Sequence, residues 1–148
     1  MTKEYVIDSN ILFSAFMSGK DIYQLMFSEN EIYIPDYAFS EIEKYKKRIL
    51  SKTKLKESDL KEFVIKLLSN VIVVPNLLIS EDSLIKAYHL CHDIDEKDTV
   101  YIALSIEFDF EVITSDKKLY NGLRKKNFTK IVLLKDVIEQ LVKNKKAK

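Results

Sequence analysis

Five carboxylates stand far apart in the chain, each beside an element that would carry it to a common edge. Asp8 follows the apolar run YVI, and Asp116 closes the triplet Thr114-Ser115-Asp116 after EVI. Glu41 lies one to two turns into the helical segment after IYIP, and Asp95 and Asp98 stand at i, i+3 near the start of the segment DTVYIALSI. Carboxylates packed together repel at neutral pH, so such a cluster calls for cations. An all-oxygen donor set selects hard ions, and Mg²⁺ or Mn²⁺ is the expected cofactor. The chemistry of such a site is hydrolysis, because divalent ions activate water and stabilise charge on the attacking and leaving oxygens of a phosphodiester. Neither His nor Cys is required, and the chain holds two His and one Cys.

The elements that must position these acids follow from hydropathy patterning. Short β-branched runs at 5–8, 31–35, 71–75, 111–114 and 130–134 read as strands buried on both faces. Between them, 20–27, 36–50, 57–69, 81–91, 98–108, 117–126 and 135–143 have helical length and composition, and a further helix follows Asn10. In 57–69, Leu60, Phe63, Val64, Leu67 and Leu68 form one apolar stripe. Strands alternating with helices, each strand nearly all apolar, predict an α/β fold with a parallel sheet covered on both faces. Ligands of such sheets bind beyond the carboxyl ends of the strands, at a switch point, where Asp8 and Asp116 would emerge.

Composition narrows the chemistry further. The chain has 148 residues, 47% hydrophobic and 11% aromatic, within the range of one domain of roughly 100–200 residues. Its two glycines, Gly19 and Gly122, cannot build a P-loop or a dinucleotide-binding turn. One cysteine, Cys91, allows no internal disulfide framework and suits a reducing cytosol. The acidic N-terminus MTKEYVIDSN offers no signal-peptide core, and no apolar run approaches the roughly 20 residues of a membrane span. The expected location is cytoplasmic, with no membrane partner.

The net charge of +1 is a cancellation. Residues 1–43 carry −6, 44–66 carry +6, 67–116 carry −8 and 117–130 carry +6. One basic block, Lys44, Lys46, Lys47 and Arg48, continues the helix of Glu41, and the other begins with Lys117 and Lys118 directly after Asp116. A phosphate backbone approaching the acids would meet these cations first, so they are candidate nucleic-acid-binding residues.

The acidic pieces in order resemble a PIN domain: Asp8-Ser9-Asn10, Glu41, Asp95-Glu96-Lys97-Asp98 with Ala103, and Thr114-Ser115-Asp116. The resemblance runs from about Tyr5 to Leu134. It implies a three-layer α/β/α sandwich around a five-stranded parallel sheet, spanning residues 1–142 as one domain; the lysine-rich end 143–148 reads as a basic, disordered tail. It also implies a Mg²⁺- or Mn²⁺-dependent ribonuclease hydrolysing single-stranded RNA. By that resemblance Asp8, Glu41, Asp98 and Asp116 are the catalytic acids and metal ligands, Asp95 is a further metal-site acid, and Asn10 and Thr114 organise the site. Small proteins of this kind resemble the VapC toxins of toxin–antitoxin pairs, which implies an antitoxin protein and a homodimer as partners.

Ordinary readings compete with each residue. Asn10 serves equally as a helix N-cap, Asp95 and Asp98 as a capping pair, and Asp116 as an acid favoured by a helix dipole. His89 and His92 share a helix face beside Cys91 and Asp93, but no second ligand pair has zinc-site spacing. Tyr23, Tyr33, Tyr37, Tyr45, Tyr88 and Tyr101 read as core and rim packing rather than base-stacking platforms. Competing functions are an RNA-processing PIN nuclease that is not a toxin and a non-catalytic RNA- or protein-binding PIN-like domain. A phosphoacceptor receiver fits poorly, because its third strand should end in Asp where this chain reads VVPN.

Overall fold

The apolar runs become five strands in the computed structural model, which describes residues 2–147. They are β1 (Glu4–Ile7), β2 (Glu31–Pro35), β3 (Val71–Val74), β4 (Glu111–Thr114) and β5 (Ile131–Leu133), all parallel in the order β3-β2-β1-β4-β5. Parallel pairing requires crossovers, and helices supply them. These are α1 (Ser9–Ser18), α2 (Asp21–Glu29), α3 (Tyr37–Lys44), α4 (Lys46–Lys52), α5 (Glu57–Leu68), α6 (Glu81–Cys91), α7 (Thr99–Phe108), α8 (Lys117–Lys125) and α9 (Leu134–Ala147). The result is the expected five-stranded parallel sheet flanked by helices in an α/β/α sandwich. Ile7, Ile34, Ile102, Leu104 and Ile113 are fully buried in its core.

The strand order reverses at β1, where Ile7 lies opposite Ile113 of β4. The two strands whose ends carry Asp8 and Asp116 are therefore neighbours, at the switch point of a doubly wound sheet.

Four expectations are corrected. The segment 36–50 is two helices rather than one, because Tyr45 leaves helical geometry at φ −101° and ψ 11°. Its ring meets Phe13 edge-on at 5.3 Å, and that packing outweighs helix propensity. Asp8, not Asn10, caps α1, with a side-chain oxygen accepting from the Ile11 N–H. The strand at 71–74 is not covered on both faces: β3 is an edge strand, and Ile72 and Val73 are exposed. Residues 143–147, expected as a disordered tail, continue α9 as helix. Gln140 donates to Asn144 one turn on (3.0 Å), and the terminal lysines favour the negative end of the helix dipole. The last tail residue, Lys148, lies outside the described residues.

The far end of α1 is pinned. Gly19 caps it at φ 64°, donating its N–H to the Ala15 carbonyl (2.8 Å), and a Cβ there would lie 2.5 Å from Leu55. The Lys54 N–H donates to the Met17 carbonyl (2.9 Å) and the Thr53 hydroxyl to the Phe16 carbonyl (2.8 Å). Helix α1 is thereby fixed against the chain leaving α4.

Candidate active site

The acids gather at the carboxyl edge of the sheet, and each is oriented by a different local device. Asp8, only 3% exposed, uses one oxygen to cap α1 and accepts from the Thr114 hydroxyl on the other (3.1 Å). Thr114 in turn accepts from the Asp116 N–H (3.1 Å), so one fully buried hydroxyl couples the ends of β1 and β4. Asp116 caps α8, one oxygen accepting from the N–H groups of Lys118 (2.9 Å) and Leu119 (3.2 Å). Asp95 caps the 3₁₀ turn that leads into α7 by accepting from the Lys97 N–H (3.1 Å). For Asp95 and Asp116 the ordinary capping role is real, and it orients the carboxylates without consuming all their lone pairs.

Asp98 differs, because it caps nothing. It is 8% exposed and its carboxylate makes no capping hydrogen bond. Burial, followed by repulsion from Asp8, Asp95, Asp116 and Glu41, pushes its carboxyl up to about 7. Burial likewise lifts Asp8 to about 6, against the hydrogen bonds from Ile11 and Thr114 that favour its charge; Asp116 and Glu41 add to the rise. Five carboxylates from distant parts of the chain therefore sense one another across one site.

Glu41, half-buried on α3, accepts a hydrogen bond from the Tyr101 hydroxyl of α7. The phenol is buried, and burial together with the Glu41 carboxylate pushes its ionisation well above the usual tyrosine range. Tyr101 is a site residue that sequence reading treated as packing. Its signal was present: it lies one helical turn after Asp98, on the same face.

An open cavity of about 360 Å³ lies beside the acids, with Glu41, Asp95, Asp98 and Tyr101 in its wall. Asp8 and Asp116 are not in the wall themselves, but their chain neighbours Ser9, Asn10 and Ser115 are. Of the basic candidates, Arg48 reaches this cavity, from α4 beyond the bend at Tyr45. Lys46, Lys47, Lys117 and Lys118 are exposed outside it, and the Lys44 ammonium rests 5.6 Å over the Tyr45 ring. Lys97, which sequence reading left aside, also lines the cavity.

The donor set is all oxygen, largely buried and self-repelling, which suits a hard divalent cation in kind. Among the described residues, no three His, Cys, Asp or Glu side chains close into a ready-made ion site. That holds for the His89, Cys91, His92 and Asp93 group as well.

A doubly wound parallel sheet with acids at its switch point defines the class of this protein, and a family match narrows it. The sequence matches the PIN domain family over residues 6–136, and the chain belongs to that family. PIN domains are generally nucleases. Among solved structures, that of PAE2754 from Pyrobaculum aerophilum superposes with a TM-score of 0.66 at 13% identity, over 95% of this chain and 90% of that one. VapBC2 from Rickettsia felis, solved with a DNA fragment from its promoter, superposes with a TM-score of 0.51 at 18% identity, over 88% of this chain and 96% of that one. At these identities the likeness is one of fold. No curated protein matches the chain.

Proposed function

We propose that this chain is a Mg²⁺- or Mn²⁺-dependent ribonuclease that hydrolyses single-stranded RNA, and that it is the toxin of a toxin–antitoxin pair. The observation that carries the reading is Asp98. A buried carboxylate with no capping duty, raised by burial and by four other carboxylates, has no structural gain to offset its burial. Asp8, Glu41, Asp98 and Asp116 would hold the metal, with Asp95 as a further acid at its edge. Bound there, a divalent cation supplies Lewis-acid stabilisation of the charge that develops on the phosphodiester oxygens.

The chain's own groups do the positioning. Thr114 fixes the orientation of Asp8 and ties it to Asp116. The Tyr101 hydroxyl holds the Glu41 carboxylate. Asn10 and Ser115 offer polar groups in the cavity wall, while Arg48 and Lys97 place positive charge where a phosphate would enter. Lys44, Lys46, Lys47, Lys117 and Lys118 form the outer track for the flanking backbone.

The partner reading is supported by the fold shared with the VapBC2 complex and by exposed apolar side chains such as Phe39, Leu50 and Leu77. An antitoxin and a second copy of this chain are the proposed partners. Among the described residues no helix is long and apolar enough to cross a membrane, and the one cysteine is free and buried. The proposed location is the cytoplasm.

A cleavage assay on a labelled single-stranded RNA, with Mg²⁺ and then with excess EDTA, tests the reading. Cutting that requires the metal supports it. RNA bound but uncut under every metal condition leaves the non-catalytic alternative standing instead.

A further inference from the structure

The cavity extends well beyond the acids, and its far half is not acidic. Helix α1 turns Asn10, Phe13, Ser14 and Met17 into it, the i, i+3, i+4, i+7 face of one helix. Those residues span two turns, about 10 Å along the axis, so the cavity is an arm running away from the carboxylates. Tyr45 and Ile49 also line it. Phe13 and Ile49 are nearly covered, whereas Tyr45 is half-buried and Arg48 exposed. The reachable flat surfaces are thus a phenol ring and a guanidinium. The arm is rigid, because its far end is tied down by the hydrogen bonds from Lys54 to Met17 and from Thr53 to Phe16.

A volume of about 360 Å³ lies at the small end of ligand sites, room for one nucleotide but not for a duplex. Aromatic and guanidinium planes beside amide and hydroxyl groups are what an unstacked base requires: the planes stack on its faces, and the polar groups meet its edge.

We propose that this arm is a nucleobase subsite. The base of the nucleotide adjoining the scissile phosphate leaves its neighbours and enters against Tyr45 and Arg48. Its polar edge meets Asn10 and Ser14, while the phosphate stays at the acids beside Lys97. The inference rests on the RNA-cleaving reading and deepens it: the chain reads one base directly, and a base-paired nucleotide is disfavoured because its base must first unpair and unstack. Tyr45, treated in the sequence as packing, becomes a stacking platform.

The probes are AMP, GMP, CMP, UMP and ribose 5-phosphate, titrated into the full chain with Mg²⁺ by calorimetry. At least one nucleotide should bind about tenfold more tightly than ribose 5-phosphate, the gap expected of one stacked base. Ser14→Leu, which fills the arm, should close that gap while the thermal midpoint holds. Tyr45→Leu keeps apolar packing on Phe13 and serves if Ser14→Leu does not fold. Equal binding of all five probes by the wild type, or a gap that survives in both variants, overturns the subsite. RNA cleavage measured alongside separates the two readings. Cutting without base-dependent binding sinks the subsite alone; base-dependent binding without cutting sustains the subsite and sinks the nuclease.

Discussion

Asp8→Asn is expected to lower cleavage of single-stranded RNA by roughly a thousandfold or more, the scale seen when a group that stabilises charge at a reacting centre is removed. The thermal midpoint of the metal-free protein at pH 8 should stay unchanged or rise. Both halves follow from one pair of bonds. Asp8 spends one oxygen on the Ile11 N–H, a cap that Asn makes as well as Asp. The other oxygen faces Thr114, whose hydroxyl can accept from an amide N–H as well as donate to a carboxylate. The substitution therefore keeps the shape and the cap, and removes a charge that burial already disfavours. A variant that cuts as well as wild type would show that Asp8 is only a helix cap. A variant that loses activity through unfolding would show as a lowered midpoint.

Asp98→Asn should stabilise the metal-free protein at pH 8 and leave its stability at pH 4 nearly unchanged. The folded-state value of about 7 lies above the ordinary carboxylate value of 3.8, and Asp8 is raised in the same direction. Groups raised in this way support folding below the unfolded value, where both states are protonated on equal terms. They lose that support as pH rises through the folded value. The metal-free wild type should accordingly weaken between about pH 4 and pH 8, opposite to the usual behaviour of paired carboxylates. At 1.36 kcal/mol per unit, Asp98 accounts for roughly 3–4 kcal/mol of that loss, a shift of about 6–16 °C in midpoint for a chain of this length. Thermal melts of wild type and variant across this pH range decide it. Parallel curves would mean that neither burial nor the neighbouring carboxylates raise the Asp98 carboxyl.

The strand and helix order was legible because the strand periods are short and apolar and their ends are marked by Pro35 and Pro75. From that order alone, Asp8 and Asp116 reach one edge. Local sequence did not reveal the break at Tyr45, because the aromatic ring that packs on it, Phe13, lies more than thirty residues earlier. Beyond the same break, Arg48 reaches the cavity and Lys46 and Lys47 lie outside it. Tyr101 was hidden for a related reason: on an almost wholly apolar helix, its hydroxyl has meaning only once Glu41 faces it. The helical end of α9 was missed because lysine-rich composition was read as disorder, while the i, i+4 pair of Gln140 and Asn144 favours helix. The arm of the cavity was written in the sequence as the 10, 13, 14, 17 face of α1, but a face of Asn, Phe, Ser and Met reads equally as the edge of a core. Only the position of α4 shows that this one borders open space.

That these acids form a divalent-metal site is tested most directly by titrating Mn²⁺ into the metal-free protein at pH 8 and following bound ion by electron paramagnetic resonance. Wild type should bind, and Asp8→Asn and Asp98→Asn should each weaken binding by at least roughly tenfold to a hundredfold while remaining folded. Equal binding by wild type and both variants, or no binding by the wild type at all, would contradict the assignment.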